Sequence, residues 1–355
     1  MIGEGSYLQV NKLNWLYLDV NSYFATIEQQ INPDLRQKPV AVVPVISESM
    51  SILAASFEAK LKGIRTGTKV FEARKLCPEI ICVEAKHDIY VKYHNLIFQE
   101  VDKYLHVDHI FSIDEGACRL TGEYCNEEKA IEIAEQIKAG IKKNVGDYIT
   151  CSIGIAPNRY LAKIATDMKK PNGLIIIKPE DIPQKMFTLK LKDLPGVGRR
   201  VYQRLNSFGI NTVERLYGLD STKLKLYWGS IWGAKCWYLL RGADLPFEEA
   251  KSTTIGHSQV LAPELKNIVS ARSVALLLVL KTASRLRALK FYASYMTLSI
   301  SLPSKKGLKT NISIGGACDS FALSSKLLKE WDRLIENNNV SMVNKISISL
   351  HGLMN

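Results

Sequence analysis

In Leu18-Asp19-Val20-Asn21-Ser22-Tyr23-Phe24 and in Ser112-Ile113-Asp114-Glu115, acidic residues follow apolar, strand-forming residues. A carboxylate at the end of a buried strand is costly unless a cation compensates its charge. Mg²⁺ is the usual compensation, because it favours carboxylates together with substrate phosphates. If the two strands are neighbours, Asp19, Asp114 and Glu115 meet at one point, as two-metal phosphoryl transfer requires. Either segment alone is more typical of a turn residue after a strand, so the interpretation depends on the rest of the chain.

The length and charge of the chain narrow its class. A chain of 355 residues with 46% hydrophobic residues is typical of a globular protein of about two to four domains. Its formal net charge of +12 favours a polyanionic partner, either nucleic acid or an anionic membrane surface. The membrane is less favoured, because the chain has no apolar stretch of roughly 18 residues and its start lacks the layout of a signal peptide. We therefore expect a cytoplasmic protein with no membrane partner.

The seven cysteines are scattered along the chain and odd in number. They form no CxxC pair and no Cys/His spacing typical of zinc ligands, so structural zinc is not expected. Reduced thiols in an intracellular protein are the simplest interpretation.

The first 178 residues mix strand and helix patterns, which indicates an α/β or α+β unit. A strand that leads into a turn and a helix is expected over 15–24. Further strands are expected over 109–115 and 149–155, and helices over 127–144 and 158–168.

A second unit begins near residue 180, where Leu194-Pro195-Gly196-Val197-Gly198 precedes a helix. Such a turn exposes successive backbone N–H groups at a helix N-terminus, and these bind phosphate without reading base sequence. The neighbouring Arg199, Arg200 and Arg204 favour contact with a DNA backbone. The alternative is an ordinary packing joint between two helices.

A third unit is strongly basic, since ten Lys or Arg residues between Lys251 and Cys318 face a single acid, Glu264. The pattern predicts four strands and two helices, in the order strand 253–261, helix 267–290, strands 294–302 and 308–315, helix 320–337 and strand 343–350. Polar and apolar residues alternate in the strands, which predicts a sheet with one solvated face. A basic solvated face suits a nucleic-acid backbone, and the alternative is a face that is merely solvated.

The segment 152–173, SIGIAPNRYLAKIATDMKKPNG, closely resembles the signature of Y-family (translesion) DNA polymerases of the DinB type. The SIDE, LDVNSYF, FEAK (57–60) and LPGVG segments also occur in the order found in that family, although DVN and EAK are more similar to its UmuC branch. The resemblance covers most of residues 15–245.

This resemblance implies a multidomain α+β fold, the right-hand polymerase. Its parts would be a palm (1–22 and 89–178), small fingers (23–88), a helical thumb with a helix-hairpin-helix (179–245), a linker (246–253) and a little finger with a four-stranded sheet (254–355). The UmuC-type domain would cover about 15–198.

The resemblance also implies the roles of individual residues. Catalysis would depend on two Mg²⁺ ions, for which Mn²⁺ can substitute, held by Asp19, Asp114, Glu115 and the Val20 carbonyl. Asp19 and Asp114 would bridge both ions, and Glu115 would serve the ion that activates the 3′-OH. Nucleotide binding would involve Asn21, Ser22, Tyr23, Phe24, Phe57, Lys60 and Lys170. Phe24 would be the steric gate against a 2′-OH, with core packing as the alternative. DNA-backbone contacts would come from Gly196, Gly198, Arg199 and Arg200.

Three positions depart from the DinB-type pattern, which has Thr, Tyr and Arg where this chain has Ala54, Phe57 and Lys60. Ala54 and Phe57 each lack the hydroxyl of the residue they replace. Lys60 offers a single point charge where the arginine guanidinium would bind phosphate through two hydrogen bonds. We therefore expect a raised KM for dNTP relative to DinB-type enzymes. UmuC-like members also carry EAK, so these changes do not imply an inactive enzyme.

The function implied is low-fidelity, template-directed DNA synthesis past damaged bases, by a monomer that binds primer–template DNA and dNTP. A sliding clamp and an accessory subunit are further candidate partners, although no glutamine-led clamp motif is evident in 348–355. One alternative is a non-catalytic Y-family relative that binds DNA or assists a polymerase. The other is a basic DNA-repair scaffold that uses only the helical hairpin.

Overall fold

The chain folds into two units, Met1–Phe247 and Glu248–Asn355. The computed structural model describes residues 12–246, 253–304 and 307–354. The predicted linker over 246–253 lies outside the described residues except at its two ends. The first eleven residues of the predicted palm and three lysines of the basic third unit also lie outside them: Lys251, Lys305 and Lys306.

The first unit mixes strands and helices along the chain, as predicted. Its strands are β1 (Trp15–Val20), β2 (Val40–Val43), β3 (Ala54–Ala55), β4 (Ile81–Glu84), β5 (His109–Ile110), β6 (Glu115–Arg119), β7 (Cys151–Ala156) and β8 (Leu174–Ile176). Its helices are α1 (Tyr23–Ile31), α2 (Phe57–Leu61), α3 (Val70–Leu76), α4 (His87–Asp102), α5 (Glu127–Asn144), α6 (Arg159–Met168), α7 (Gln184–Phe187), α8 (Arg199–Ser207), α9 (Val213–Tyr217), α10 (Ser221–Trp228) and α11 (Ile231–Leu239).

The central sheet has the strand order β5-β6-β1-β7-β8, with β1 antiparallel to both of its neighbours. Successive side chains of β1 point to opposite faces. Leu16 and Leu18 pack into a core shared with α1, α4 and α5. Trp15 and Tyr17 pack on the other face, in a core shared with α6 and the helices that follow it. Asp19 has the same parity as Tyr17 and therefore lies on the α6 face.

The single strand predicted over 109–115 is wrong. The chain reverses after β5, and β6 begins at Glu115 as the second arm of a hairpin. The Phe111 N–H donates to the Glu115 carbonyl at 2.9 Å, and the Ser112 hydroxyl donates to Asp114 Oδ1 at 2.6 Å. These local bonds favour a turn, so Asp114 lies in the turn and Glu115 opens the next strand.

A separate sheet, ordered β3-β2-β4, packs against α2 and α3 around a small core of its own. This arrangement places α2 beside the C-terminal end of β1, where the acidic residues lie.

The second unit is a four-stranded antiparallel sheet covered on one face by two helices. Its elements are β9 (Thr254–Val260), α12 (Ile268–Ala288), β10 (Tyr292–Ser301), β11 (Gly307–Ala317), α13 (Ser320–Asn337) and β12 (Lys345–Met354), with strand order β11-β10-β12-β9. Met296, Leu298 and Ile300 face the helices around the fully buried Trp331. Thr297 and Ser299 lie on the opposite face. The predicted α+β fold class and C-terminal four-stranded sheet are therefore confirmed.

Across residues 12–246, 253–304 and 307–354, none of the helices is both long and apolar enough to cross a membrane.

Candidate active site

A cavity of about 590 Å³ lies where β1 ends and α1 begins. Its walls come from four parts of the first unit: the β1–α1 junction, the segment from β3 to the residues after α2, the β5–β6 turn, and α6 with the residues after it. Every residue that the sequence analysis assigned to metal or nucleotide lines it: Asp19, Val20, Asn21, Ser22, Tyr23, Phe24, Phe57, Lys60, Asp114, Glu115 and Lys170.

Asp19 and Glu115 are direct partners in the antiparallel pairing of β1 with β6. Side chains opposite each other in such a pair lie on the same face, about 4.5–5.5 Å apart at Cβ. Asp19 is only 5% exposed. The register therefore brings two of the three predicted carboxylates together in a largely buried position.

Two lysines form ion pairs with these carboxylates. Lys163 Nζ lies 2.5 Å from Asp19 Oδ2 and 2.7 Å from Glu115 Oε1. Lys170 Nζ lies 2.8 Å from Asp19 Oδ1. The Tyr17 hydroxyl donates to Glu115 Oε2 at 2.9 Å. All four oxygen atoms of the carboxylate pair therefore have a cationic or hydroxyl partner.

The pKa values in this group follow burial and charge. Burial alone would raise the pKa of Asp19, but Lys163 and Lys170 outweigh it and lower that pKa. Burial raises the pKa of Glu115 even though Lys163 opposes the shift. Burial, reinforced by the Glu115 charge, also raises the pKa of the Tyr17 hydroxyl, which stays protonated as a donor.

Lys163 was missed by the sequence analysis, and its position depends on a close approach of α6 to the sheet. Gly154 on β7 pairs with Tyr17, and a Cβ at Gly154 would lie 2.0 Å from the Ala162 carbonyl oxygen. Only glycine permits α6 to lie so near. The available signal was a single charged residue within the otherwise uncharged run YLAKIA over 160–165.

The start of α6 is fixed by Asn158, which is fully buried. Its side-chain oxygen accepts the Leu161 N–H at 2.9 Å, as an N-cap does. Its amide group donates to the Leu239 and Ala243 carbonyls at 2.8 and 2.9 Å. One side chain therefore ties α6 to the end of α11.

The third carboxylate, Asp114, lines the same cavity, but its side chain accepts the Ser112 hydroxyl within the turn. Within the described part of the chain, no group of three or more His, Cys, Asp or Glu side chains is arranged to hold a metal ion. The donors nevertheless suit one, because Asp19, Asp114 and Glu115 supply the oxygen ligands that Mg²⁺ prefers. The ammonium group of Lys163 between Asp19 and Glu115 shows that this position attracts positive charge.

The β1–α1 junction places two aromatic residues, Tyr23 and Phe24, at the cavity with different degrees of burial. Tyr23 is buried, and its hydroxyl donates to the Tyr90 carbonyl at 2.6 Å. Phe24 is half-buried, lines the cavity and stacks on Tyr90 with ring centroids 4.5 Å apart. Both residues line the cavity, but Tyr23 is anchored in the core, while the Phe24 ring forms a rigid aromatic wall.

The opposite wall carries Ala54, Phe57 and Lys60. The side chain of Phe57 is exposed. Lys60 Nζ donates to the Ser22 hydroxyl at 2.7 Å, at the first turn of α1. Burial, reinforced by the nearby Lys170, lowers the pKa of Lys60.

The glycines and arginines assigned to the DNA backbone lie at the start of α8. Gly196 has φ +90, and a Cβ there would lie 2.7 Å from Trp232 Nε1, so glycine is required on both counts. Gly198 precedes α8, and Arg199 and Arg200 are exposed in its first turn. Arg204, by contrast, donates to the Trp228 carbonyl at 2.8 Å and stabilises packing within this part of the chain.

Comparison with known protein families gives two matches in the first unit. Residues 18–167 match the impB/mucB/samB family, and residues 192–244 match the thumb domain of DNA polymerase iota. Together they include the start of α8 and the cavity residues other than Lys170 and Pro171.

Two curated relatives are named DNA polymerase IV. The protein from Moorella thermoacetica is 33% identical over 294 residues, which cover 81% of this chain and 73% of the relative. The protein from Bacillus velezensis is 35% identical over 214 residues, which cover 60% of this chain and 51% of the relative. The alignment thus spans about half the length of the Bacillus protein.

A solved structure shares the fold. The Y-family DNA polymerase chimera of Dbh and Dpo4 superposes with a TM-score of 0.82, covering 96% of this chain and 99% of its own, at 22% identity. This likeness concerns the fold, whereas the match to the Moorella protein over most of both chains establishes kinship. The chain therefore belongs to the DinB-like Y-family of DNA polymerases.

Proposed function

We propose that this chain is a low-fidelity, template-directed DNA polymerase for translesion synthesis, which adds dNTPs to a primer 3′-OH. One observation carries the proposal. The β1–β6 register pairs Asp19 with Glu115 inside a cavity that also contains Phe24, Lys60 and Lys170. Carboxylates for metal, cations for phosphate and an aromatic wall for a sugar thus surround one space. Membership of the Y-family supports the same activity.

The residues that would hold two Mg²⁺ ions, or Mn²⁺ in their place, are Asp19, Asp114 and Glu115, with the Val20 carbonyl. When bound, such ions lower the pKa of an attacking hydroxyl and neutralise charge on the leaving phosphate. Asp114 lies in the β5–β6 turn and lines the same cavity as Asp19 and Glu115.

The other cavity residues bind and orient the nucleotide. Lys60 and Lys170 attract the triphosphate. The Ser22, Tyr23 and Phe24 N–H groups lie in the first turn of α1, where backbone donors favour negative charge. The Phe24 ring, held by its stack on Tyr90, would exclude a 2′-OH beneath the incoming sugar.

We further propose the domain roles given by the family. The palm would comprise 1–22 and 89–178, the fingers 23–88, the thumb 179–245, the linker 246–253 and the little finger 254–355. Primer–template DNA would contact the thumb through Gly196, Gly198, Arg199 and Arg200, and the little finger through the solvated face of its sheet. A monomer, docking on a sliding clamp and assistance by an accessory subunit are secondary proposals.

The alternative is a non-catalytic relative that binds DNA. The lysines at Asp19 and Glu115, and the absence of a ready three-ligand group in the described residues, favour it. The presence of all three carboxylates in the cavity argues against it, because carboxylate oxygens are the ligands that Mg²⁺ prefers.

Primer extension tests the proposal. The native chain is compared with the double variant Asp114→Ala/Glu115→Ala on an undamaged primer–template with dNTPs and Mg²⁺. Glu132→Ala is the matched control, since Glu132 is exposed on α5 away from the cavity. We expect extension by the native chain and the control alone. Absence of extension by the native chain with Mg²⁺ or Mn²⁺, while it still binds the DNA, would contradict the proposal and favour the non-catalytic alternative.

A further inference from the structure

The side chain between the two paired carboxylates is Lys163, to which the family roles described above give no part. Its ammonium group contacts one oxygen of Asp19 and one of Glu115, at 2.5 and 2.7 Å, and lies 3.6 Å from Asp167. Its side chain is only 18% exposed. It therefore occupies the point at which a cation must lie to bridge Asp19 and Glu115.

We infer that Lys163 is an internal counter-cation that keeps the carboxylate pair together without metal, and that a divalent ion must displace it. This inference rests on the proposed metal site. Two like charges placed side by side in a half-buried strand pair repel each other and destabilise the fold. Lys163 removes that repulsion, and it competes with the metal for the same oxygen atoms.

The charges of the side chains that line the cavity support competition between Lys163 and a metal ion. Its walls carry three carboxylates and four cationic side chains: Asp19, Asp114, Glu115, Lys60, Arg65, Lys163 and Lys170. The cavity is therefore already compensated without metal, so an added divalent ion makes it strongly positive. Metal alone should bind weakly, and a nucleotide triphosphate should strengthen the binding by restoring negative charge.

The two lysine side chains that contact Asp19 differ in how freely they can move. The Lys170 side chain is 35% exposed and follows the end of α6, so it can turn towards a triphosphate. Lys163 projects from the middle of α6, which Gly154 holds against the sheet. A divalent ion must therefore displace the Lys163 side chain while α6 itself stays against the sheet, which makes Lys163 a positioning residue that sets metal affinity.

Metal binding by the nucleotide-free protein tests the inference. Mn²⁺ is titrated into the native chain, Lys163→Gln, Lys163→Arg and the control Lys142→Gln, and binding is followed by electron paramagnetic resonance. Lys142 is exposed on α5 outside the cavity. We expect Lys163→Gln to bind Mn²⁺ about tenfold more tightly, within the usual range of coupling between sites. Lys163→Arg, which keeps the charge, and the control should bind no more tightly than the native chain.

Unchanged or weaker binding by Lys163→Gln would overturn the inference, because a purely structural lysine would give that result. Tighter binding by Lys163→Arg would also overturn it, because that variant keeps the competing charge. If Lys163→Gln does not fold, the native chain provides a second measurement. Added Mn²⁺ should increase reductive methylation of Lys163 severalfold, as seen by peptide mass spectrometry, and an unchanged extent would contradict displacement. Neither measurement needs DNA or dNTP. Failure of primer extension with tighter Mn²⁺ binding would therefore remove the polymerase proposal alone.

Discussion

Replacing Gly154 by alanine should disturb both the stability of the first unit and the geometry of its cavity. The added Cβ would lie 2.0 Å from the Ala162 carbonyl oxygen, 2.7 Å from the Thr166 nitrogen and 2.8 Å from the Ala165 Cβ. These are atoms of α6 itself, and ordinary contact begins near 3.4 Å. The helix must therefore retreat from the sheet by more than 1 Å.

The size of the effect follows from that displacement. Overpacking of a well-packed core typically costs about 1–3 kcal/mol, and for a unit of this size about 2 kcal/mol lowers Tm by roughly 4–8 °C. The helix carries Lys163 and leads to Lys170. A misplacement of about 1 Å at a catalytic constellation can cost on the order of 100-fold in rate. We expect both losses together in Gly154→Ala.

The assays are calorimetric unfolding and single-nucleotide primer extension, with Gly218→Ala as the matched control. A Cβ at Gly218 would meet only the Glu214 and Arg215 carbonyls, at 3.6 and 3.7 Å, which are ordinary contacts. A Tm of Gly154→Ala equal to that of the control would refute the packing argument. A lowered Tm with an unchanged rate would refute the link between the α6 position and the cavity.

Three further predictions concern single side chains. Phe24→Ala should raise the efficiency of ribonucleotide insertion relative to deoxyribonucleotide insertion by roughly 10- to 200-fold, because it removes a cavity wall. An unchanged ratio in competition assays would exclude a steric gate at this residue. Lys60→Arg should lower the KM for dNTP by about tenfold, since a guanidinium fork binds phosphate through two bonds; steady-state kinetics that show an equal or higher KM would contradict this. Glu100 is buried and accepts bonds from Lys103 and Asn144, which outweigh burial and lower its pKa. Its stabilising effect is therefore present above its ordinary pKa of 4.5 and is lost as pH falls through the lowered value. Glu100→Gln should flatten this acid limb of the plot of Tm against pH. Parallel plots for the variant and the native chain would show that ionised Glu100 contributes nothing to stability.

Local patterns allowed much of the fold to be predicted. The helix expected over 127–144 is α5 (Glu127–Asn144), because Asn126 caps its start and the apolar residues recur with helical spacing. The helix expected over 320–337 is α13 (Ser320–Asn337), with Asp319 as its cap. Both signals are contained within a few turns of chain.

The same local patterns did not predict the β5–β6 hairpin. The apolar residues before Asp114 fit a strand, but hydrogen bonds from Phe111 and Ser112 to Glu115 close a turn instead. Short apolar runs do not distinguish one strand from two arms of a hairpin. The carboxylates could be named in advance, but not which one opens a strand and which one lies in a turn.

The sequence by itself determined most of the elements, the basic character of the third unit and most of the residues that line the cavity, because each of these depends on composition or on contacts within a short stretch of chain. Only the tertiary structure decided that Lys163 lies between Asp19 and Glu115, residues that are 144 and 48 positions away from it. That contact depends on the β1–β6 register and on the approach of α6 over Gly154. Neither is local, so no pattern along the chain could show that an ammonium group and a divalent ion would compete for one position.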